Sequence, residues 1–317
     1  MKYCVGVDVG GTNLVAGLVD ERGKLLHKES CPVDKSMDAA ALTHTLAQLS
    51  RRVVEQAGKG LDEIRAVGVG IPGLVDNESG VILRTTNMPF DNTPFRAWFQ
   101  KEWNVPVFVG NDANCAAIGE YAAGAAKGCD PVVMVTLGTG IGGGLVANGK
   151  LFTGFANSAM EVGHIIISPD GLDCPCGNRG CWEQYGSATA LIRMTREAMV
   201  QDRDSVLWEL CGGDLGKVNG RTPFDGALKE DKTALRVLEK YRRGLSVGLV
   251  ALVNVLQPEM ICMGGGISNA EDALLLDPLR ELVAAGAYDK NTPIRMERAS
   301  LGNDAGVVGA ALLCDMV

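Results

Sequence analysis

The chain has 317 residues, of which 46% are hydrophobic, and a formal net charge of -8 at pH 7. This length supports one large or two medium domains with a substantial core. The acidic balance is the wrong sign for binding the phosphate backbone of nucleic acids. No apolar run reaches transmembrane length and no signal peptide precedes the first strand pattern, so we expect a cytoplasmic protein without a membrane or nucleic-acid partner.

Two segments of the chain share one pattern. Residues 5–26 predict strand, Gly-rich turn, strand, polar turn and strand, and residues 133–152 repeat that order. Self-similarity at half-chain spacing predicts a duplicated domain with two lobes facing a cleft. A chance match between two Gly-rich hairpins is the alternative. Alternating helix and strand patterns place the chain in the α/β class.

The turn after a predicted strand at residues 105–109 carries a candidate catalytic base. Asp112 lies in the sequence GND, directly before a predicted helix at residues 113–121. A carboxylate at a strand end can act as a general base on a hydroxyl presented to it. The alternative is an Asn-Asp turn or helix N-cap.

The Gly-rich turn of the second repeat matches G-x-G-x-x-G at residues 138–143. A dinucleotide fingerprint opens a helix after its glycines, whereas strand and hairpin patterns follow here, so we reject a Rossmann site. The P-loop pattern is also absent from the sequence. The two Gly-rich turns are instead expected to cradle phosphates with their backbone N–H groups.

A metal cluster is predicted between residues 161 and 183. Three of the ten cysteines and one of the three histidines fall within eighteen positions there: His164, Cys174, Cys176 and Cys181. In a reducing compartment such a set favours a closed, structural tetrahedral zinc site over a disulfide. A redox pair or ordinary thiols are the alternatives. The other cysteines are interpreted as buried small hydrophobes: Cys4, Cys31, Cys115, Cys129, Cys211, Cys262 and Cys314.

Three further segments complete the chain. Residues 235–256 predict a long apolar helix, belonging either to the core or to a subunit interface. A buried strand at residues 258–262 leads to a third Gly-rich turn, after which Ser268 and Asn269 are expected to cap the next helix. That turn can admit a flat ligand close to the backbone, or can be a plain strand-to-helix turn. Residues 304–314 predict an amphipathic tail helix.

Together these segments resemble the ROK family (repressors, open reading frames and kinases), and most closely its bacterial ATP-dependent glucokinases. The similar stretches are VDVGGTN at residues 7–13, GIPG at 70–73, Asn87, GNDAN at 110–114, LGTGIGGG at 137–144, EVGH at 161–164 and CPCGNRGCWE at 174–183. The resemblance runs from about residue 3 to residue 313. It implies an actin-like (ribonuclease H-like, hexokinase-type) two-lobe fold with the active site in the cleft.

The resemblance also implies a role for each matching residue. Asp112 is the catalytic base, and the sugar contacts are Gly73, Asn87, Asn111, Asp112, Glu161, His164 and Glu183. ATP and Mg²⁺ are bound by Asp8, Gly10, Gly11, Thr12, Asn13, Gly138, Thr139, Gly140, Gly264, Gly265 and Gly266. His164 serves both zinc and sugar, since a zinc-bound imidazole has a second ring nitrogen.

The implied activity is phosphorylation of a hexose, glucose first, at its 6-hydroxyl by ATP–Mg, as in glycolysis. A kinase for N-acetylmannosamine, N-acetylglucosamine, fructose or allose is the alternative, as is polyphosphate as donor. A sugar-sensing regulator is disfavoured, because Asp8 leaves no room for a preceding DNA-binding domain. We expect a small lobe at residues 1–110 and 303–317, a large lobe at residues 111–302, and a homodimer or homotetramer.

Overall fold

The computed structural model describes residues 2–85 and 88–317. Its strands, in chain order, are β1 (Tyr3–Val9), β2 (Asn13–Val19), β3 (Leu25–Pro32), β4 (Ile64–Ile71), β5 (Gly73–Asp76), β6 (Val81–Thr85), β7 (Asp91–Thr93), β8 (Val107–Asn111), β9 (Val132–Leu137), β10 (Ile141–Ala147), β11 (Lys150–Leu151), β12 (Met260–Gly264) and β13 (Arg295–Arg298). The α/β class predicted from the sequence is confirmed.

The α-helices are α1 (Ala39–Gln56), α2 (Phe95–Glu102), α3 (Asp112–Ala123), α4 (Glu183–Gly186), α5 (Ala188–Gln201), α6 (Leu207–Leu210), α7 (Thr222–Leu228), α8 (Lys232–Leu256), α9 (Leu276–Gly286), α10 (Ala305–Ala311) and α11 (Leu313–Met316). Short 3-10 helices lie at Leu61–Glu63, Val162–His164, Leu215–Lys217, Gly266–Asn269, Asp272–Leu274 and Gly302–Asp304. No helix in the described part of the chain is both long and apolar enough to cross a membrane.

Two five-stranded sheets have matching topologies. One has the order β3-β2-β1-β4-β8 and the other the order β11-β10-β9-β12-β13. The strands β1, β4 and β8 pair in parallel, as do β12 and β13, while β1–β2, β2–β3 and β10–β11 are antiparallel. Each sheet therefore carries a Gly-rich hairpin followed by parallel strands, which supports the duplication predicted from the repeat. The third sheet has the order β5-β6-β7.

The chain divides into two compact units. The first comprises Met1–Met134, Gly144–Met160 and Ala299–Val317, and the second comprises Val135–Gly143 and Glu161–Arg298. Residues 111–134 and 144–160, expected in the large lobe, cluster with the first unit, where α3 packs on α10. The lobe boundaries at residues 110 and 303 stay a prediction.

The core of the first unit forms where α1 covers the sheet. Asp38 caps this helix by accepting a hydrogen bond from the Ala41 N–H at 2.8 Å. The buried positions Leu42, Leu46, Leu49 and Val53 recur at helical spacing and pack with the apolar side chains of β1, β2 and β4. Strand β4 is buried along nearly its whole length, as expected for an interior parallel strand.

Helices α10 and α3 approach each other very closely. A Cβ built on Gly309 would lie 1.6 Å from the Cys115 carbonyl oxygen, and one on Gly119 would lie 2.3 Å from the Ala305 carbonyl oxygen. Only glycine at both positions allows the helix backbones to meet at this distance. The fully buried Glu120 accepts hydrogen bonds from the N–H groups of Ser300 (3.0 Å) and Leu301 (2.7 Å), which fixes the chain as it enters α10.

The second unit is organised around the long helix α8. Trp182 is fully buried, and its indole N–H donates to the Gly244 carbonyl at 3.2 Å. A Cβ on Gly248 would lie 2.1 Å from the Trp182 ring, so the ring fills the space that this glycine leaves. The Tyr241 hydroxyl donates to the Gly186 carbonyl at 2.7 Å. These contacts anchor residues 182–186, which lie at the end of the predicted metal loop, the segment of residues 161–183.

Some local predictions need correction. Ser268 and Asn269 do not cap the next helix, since they belong to a 3-10 helix and α9 begins only at Leu276. The Ser268 hydroxyl instead donates to the Gly265 carbonyl at 2.8 Å and stabilises the turn. The predicted long helix is confirmed with an earlier start, because Asp231 accepts from the Ala234 N–H and so caps α8. The tail helix is confirmed as two short helices, α10 and α11.

Candidate active site

Two acidic side chains lie near the carboxyl ends of the parallel strands in the first sheet. Asp8 on β1 is paired with Gly70 on β4, and Gly70 is paired with Gly110 on β8. Asp112 follows β8 directly, and its Cα would lie 3.7 Å from a Cβ built on Gly70. The strand register therefore brings Asp8 and Asp112 to the same end of the sheet, although they are far apart in the sequence.

Burial raises the proton affinity of both carboxyl groups, and the charge of Asp112 raises that of Asp8 further. Burial raises the pKa of Asp8 from its ordinary value of 3.8 to about 6, and the negative charge of Asp112 adds to that increase. Burial also raises the pKa of Asp112, against the backbone hydrogen bond that it accepts from Ala113. Carboxyl groups with raised pKa values are typical of sites that transfer protons.

Asn111 connects three of the predicted sugar-binding positions. Its side-chain oxygen accepts hydrogen bonds from the N–H groups of Ala113 (2.9 Å) and Asn114 (3.2 Å), which caps α3. Its amide nitrogen donates to the Gly73 carbonyl at 3.3 Å. Gly73, Asn111 and Asp112 are therefore neighbours, as expected from the sequence. The predicted Asn87 lies outside the described residues.

The first Gly-rich turn joins β1 to β2. The Gly10 N–H donates to the Asn13 carbonyl at 3.0 Å, while Gly11, Thr12 and Asn13 are exposed. A Cβ on Gly11 would meet no atom within 4 Å, so a ligand can approach this backbone closely. The turn directly follows the strand that carries Asp8.

The second Gly-rich turn, at residues 138–140, is held on several sides. The Gly138 N–H donates to the Gly140 carbonyl at 3.0 Å, and the Ala188 N–H donates to the Gly138 carbonyl at 2.9 Å. The Thr189 hydroxyl donates to the Thr139 carbonyl at 2.7 Å. The beginning of α5 thus fixes this turn, a contact that no sequence motif indicates.

A cavity of about 610 Å³ opens beside this turn within the second unit. Its lining combines apolar and polar side chains with exposed backbone: Leu137, Gly138, Thr139, Ala188, Asn219, Gly220, Arg221, Phe224, Asp225, Leu228, Gly266, Ile267, Asn269, Ala270, Glu271 and Leu274. The volume lies in the range of small-molecule sites. Of the glycines that line this cavity, the sequence predicted Gly138 and Gly266 but missed Gly220, and it also missed the contributions of α7 and of residues 269–274.

The third Gly-rich turn reaches the cavity through one glycine. Gly265 has φ +83°, and a Cβ on it would lie 2.4 Å from the Leu137 carbonyl oxygen, so it packs against β9. Gly264 is buried as the last residue of β12. Gly266 lines the cavity, with no atom within 4 Å of a Cβ built on it.

In the second Gly-rich turn, Gly140 does not line the cavity. The carboxylate of Glu183 lies against Gly140 instead, 2.1 Å from a Cβ built on it.

His164, Cys174, Cys176 and Cys181 form the predicted cluster, with all four ligand atoms within 4.8 Å of one another. The Cys176 and Cys181 Sγ atoms are 3.6 Å apart, and the Cys174 Sγ lies 3.8 Å from the His164 Nδ1. A tetrahedral ion with Zn–S bonds of about 2.3 Å keeps neighbouring ligand atoms about 3.8 Å apart. The separations therefore fit a four-coordinate metal.

The loop that carries these ligands has its own hydrogen bonds. The Cys174 N–H donates to the Asn178 carbonyl at 2.8 Å, and the Gly180 N–H donates to the Leu172 carbonyl at 2.7 Å. Glu161 precedes the 3-10 helix that ends at His164, and its carbonyl accepts the His164 N–H at 3.0 Å. Because Nδ1 of His164 faces the cysteines, its Nε2 is on the opposite side of the ring.

Comparison with known proteins gives a family for the whole chain. The ROK family model matches residues 4–316. A glucokinase of Halalkalibacterium halodurans is 34% identical over 98% of this chain and 94% of its own length. A ROK family glucokinase of Streptomyces griseus, solved with glucose and AMPPNP, superposes with a TM-score of 0.83 at 34% identity and 98% coverage of both chains. The actin-like, hexokinase-type fold class is thereby confirmed.

Regulators are also similar to this chain. The xylose repressor of Bacillus subtilis is 28% identical over 97% of this chain and 75% of its own length. Similarity to this chain is therefore found among both enzymes and regulators, so the fold alone does not give the activity.

Proposed function

The chain belongs to the ROK family, and on that basis we propose that it transfers the γ-phosphoryl group of ATP–Mg to the 6-hydroxyl of a hexose, with glucose as the first candidate. The observation that carries the proposal is the half-buried pair of carboxyl groups with raised pKa values, Asp8 and Asp112, at one end of the first sheet. Similarity to glucokinases over nearly the full length supports the same activity.

Asp112 is proposed as the general base. Burial raises the pKa of Asp112 above that of an ordinary aspartate, so its carboxylate is a stronger proton acceptor. The hydrogen bonds of Asn111 fix the first turn of α3 and with it the position of Asp112. The proton of the sugar hydroxyl would pass to Asp112 as the hydroxyl oxygen attacks the γ-phosphorus, while the bond from that phosphorus to the β,γ-bridging oxygen breaks and ADP leaves.

Asp8 and the exposed turn after it are proposed to bind the phosphate end of the nucleotide. Mg²⁺ bound with ATP neutralises the charge that develops on the phosphoryl oxygens. Asp8 would hold that ion through water, in keeping with the few carboxylates that Mg²⁺ takes. The backbone N–H groups of Gly10, Gly11, Thr12 and Asn13, and those of residues 138–140, would bind phosphate oxygens.

The cavity of the second unit is proposed to hold the nucleoside part of ATP. Phe224, Leu228 and Ile267 offer apolar contacts for a flat base, and Asn219 and Glu271 offer polar contacts for its edge or for the ribose. Gly266 lets the ligand lie close to the backbone. Gly264 and Gly265 would act by shaping this turn.

The four-ligand cluster is proposed to hold a structural zinc ion. Three thiolates and one imidazole fill the tetrahedral positions, so zinc would supply rigidity and no reactive water. The sugar is proposed to contact His164, a member of the cluster, and the two glutamates that flank the cluster in the sequence, Glu161 and Glu183. The remaining proposed sugar contacts are Gly73, Asn87 and Asn111.

A cytoplasmic location and a homodimer or homotetramer remain predictions. Light scattering of the purified protein would measure the number of subunits.

The decisive experiment is a coupled kinase assay of the purified protein over glucose, fructose, allose, N-acetylglucosamine and N-acetylmannosamine, with ATP and polyphosphate as donors. We expect turnover with ATP and glucose, and a loss of about 10²–10⁴-fold in kcat for Asp112→Asn with sugar binding retained. A preference for another sugar would correct the substrate. No turnover with any pair, together with sequence-specific DNA binding, would favour the regulator.

A further inference from the structure

Two cysteines from opposite ends of the sequence meet beside an arginine in the first unit. The Sγ atom of Cys4, on β1, lies 3.8 Å from the Sγ atom of Cys314, on α11. Arg65, on β4, donates from Nη2 to the Cys314 Sγ at 2.8 Å and forms an ion pair of 2.5 Å with Asp315. The interpretation of these cysteines as buried small hydrophobes is confirmed for Cys4, which is buried, and is wrong for Cys314, which is half-buried.

The surroundings favour a thiolate at Cys4, whereas the hydrogen bond with Cys4 and burial raise the pKa of the Cys314 thiol. The hydrogen bond from Cys314 and the positive charge of Arg65 outweigh burial and lower the pKa of Cys4 to about 6. A thiolate is the nucleophilic form of cysteine and the form that hydroperoxides oxidise. By contrast, burial and the charges of Asp8 and Asp112 raise the pKa of Cys115 well above its ordinary value.

The geometry requires only a small movement to join the sulfur atoms. A disulfide has an S–S bond of about 2.05 Å, so the two atoms must approach by about 1.8 Å. Cys4 is 5% exposed in a central strand, whereas Cys314 is half-buried in a four-residue helix near the end of the chain. Cys314 can therefore both admit a small oxidant and supply the movement.

We propose that Cys4 and Cys314 form a reversible disulfide in response to hydroperoxides. The thiolate of the pair attacks the peroxide oxygen, forming a sulfenic acid and releasing an alcohol or water after protonation. The second thiol then attacks the sulfenic sulfur and expels water, so two thiols and one hydroperoxide give one disulfide, one alcohol or water, and one water. A thiol reductant reverses the reaction. The proposal does not depend on the function proposed above.

The disulfide would tie the first strand to the end of the chain. Because the cross-link closes nearly the whole sequence into a loop, it restricts the unfolded state strongly. We expect the apparent melting temperature of the oxidised protein to rise by about 5 °C.

The test is oxidation of the zinc-loaded, full-length protein with hydrogen peroxide, followed by trypsin digestion without reductant and mass spectrometry. The expected product joins the peptides of residues 3–22 and 299–317 and disappears with dithiothreitol. Absence of this product at peroxide concentrations that oxidise the cysteines of the metal cluster would overturn the proposal.

Matched variants separate a reactive pair from packed thiols. Cys314→Ser should abolish both the cross-link and the rise in melting temperature, while Cys31→Ser should change neither. Arg65→Gln should slow formation of the cross-link by about 10-fold, since less thiolate is present. An unchanged rate in Arg65→Gln would refute the role of the arginine.

Discussion

The side chain of Glu183 accepts a hydrogen bond from the backbone N–H of Ile141, with 3.0 Å between Oε2 and the nitrogen. Glu183 comes two residues after the last ligand of the metal cluster, and Ile141 directly follows the second Gly-rich turn. A residue predicted to bind sugar is therefore also a support of the turn proposed to bind phosphate. The metal loop and that turn are connected by one carboxylate.

Substitution of Glu183 should separate these two roles. Glu183→Ala removes the acceptor, so we expect KM for ATP to rise by about 10-fold or more, consistent with loss of a hydrogen bond to a charged group. Glu183→Gln keeps an oxygen acceptor and should retain KM for ATP while raising KM for the sugar. Steady-state kinetics with each substrate varied measures both. Equal KM values for ATP in the two variants would contradict the supporting role.

The carboxyl pair should make stability depend on pH. Because the pKa of Asp8 is raised from 3.8 to about 6 in the folded protein, the stability linked to this group is full below about pH 4 and is lost as pH rises through about 6. Asp8→Asn should therefore be more stable than the wild type at pH 8, by up to about 3 kcal/mol, and similar to it at pH 4. Urea unfolding without Mg²⁺ at both pH values measures this. A difference independent of pH would contradict it.

Activity should depend on pH in the opposite direction. The proposed roles of Asp8 and Asp112 need their ionised forms, so kcat/KM should fall as pH drops below about 6. A pH profile of the initial rate, with the coupling enzymes in excess, measures the decline. An activity that stays constant down to about pH 4.5 would be incompatible with the proposed role of Asp8, since its carboxyl group would then be mostly protonated.

Loss of one ligand should affect metal and sugar together. Cys176→Ala removes an exposed ligand of the cluster, so zinc content and sugar affinity should both fall. Cys31→Ala, at a half-buried cysteine of β3, serves as the control. Metal analysis and calorimetry with the preferred sugar provide the measurements. Metal loss with unchanged sugar binding would refute the coupling.

The close contact of α10 with α3 should not tolerate a methyl group. Gly309→Ala places Cβ 1.6 Å from the Cys115 carbonyl oxygen, so we expect destabilisation of about 3 kcal/mol or more. Gly11→Ala, whose Cβ would meet nothing within 4 Å, should leave the free energy of unfolding unchanged. Denaturant unfolding of both variants tests the difference. Equal stability of the two variants would show that the helices can separate without cost.

Local patterns in the chain were enough to predict the α/β class, the repeated Gly-rich hairpins and the four residues of the Cys/His cluster. Each of these depends on local chemistry: the spacing of apolar residues, the glycines of tight turns, and the preference of thiols and imidazole for a tetrahedral ion. The resemblance to a family added the role of each residue, which local patterns alone left open, as they did for Asp112.

Which distant residues meet depends on the assembled fold. The strand register set Asp8 near Asp112, the packing of α11 beside β4 set Cys314 near Cys4, and the contact of Glu183 with Ile141 joined the metal loop to a turn. The lining of the cavity by α7 also has no sequence signature. The physical reason is that these contacts arise from the packing of whole strands and helices, whose partners are far apart in the chain and leave no local pattern.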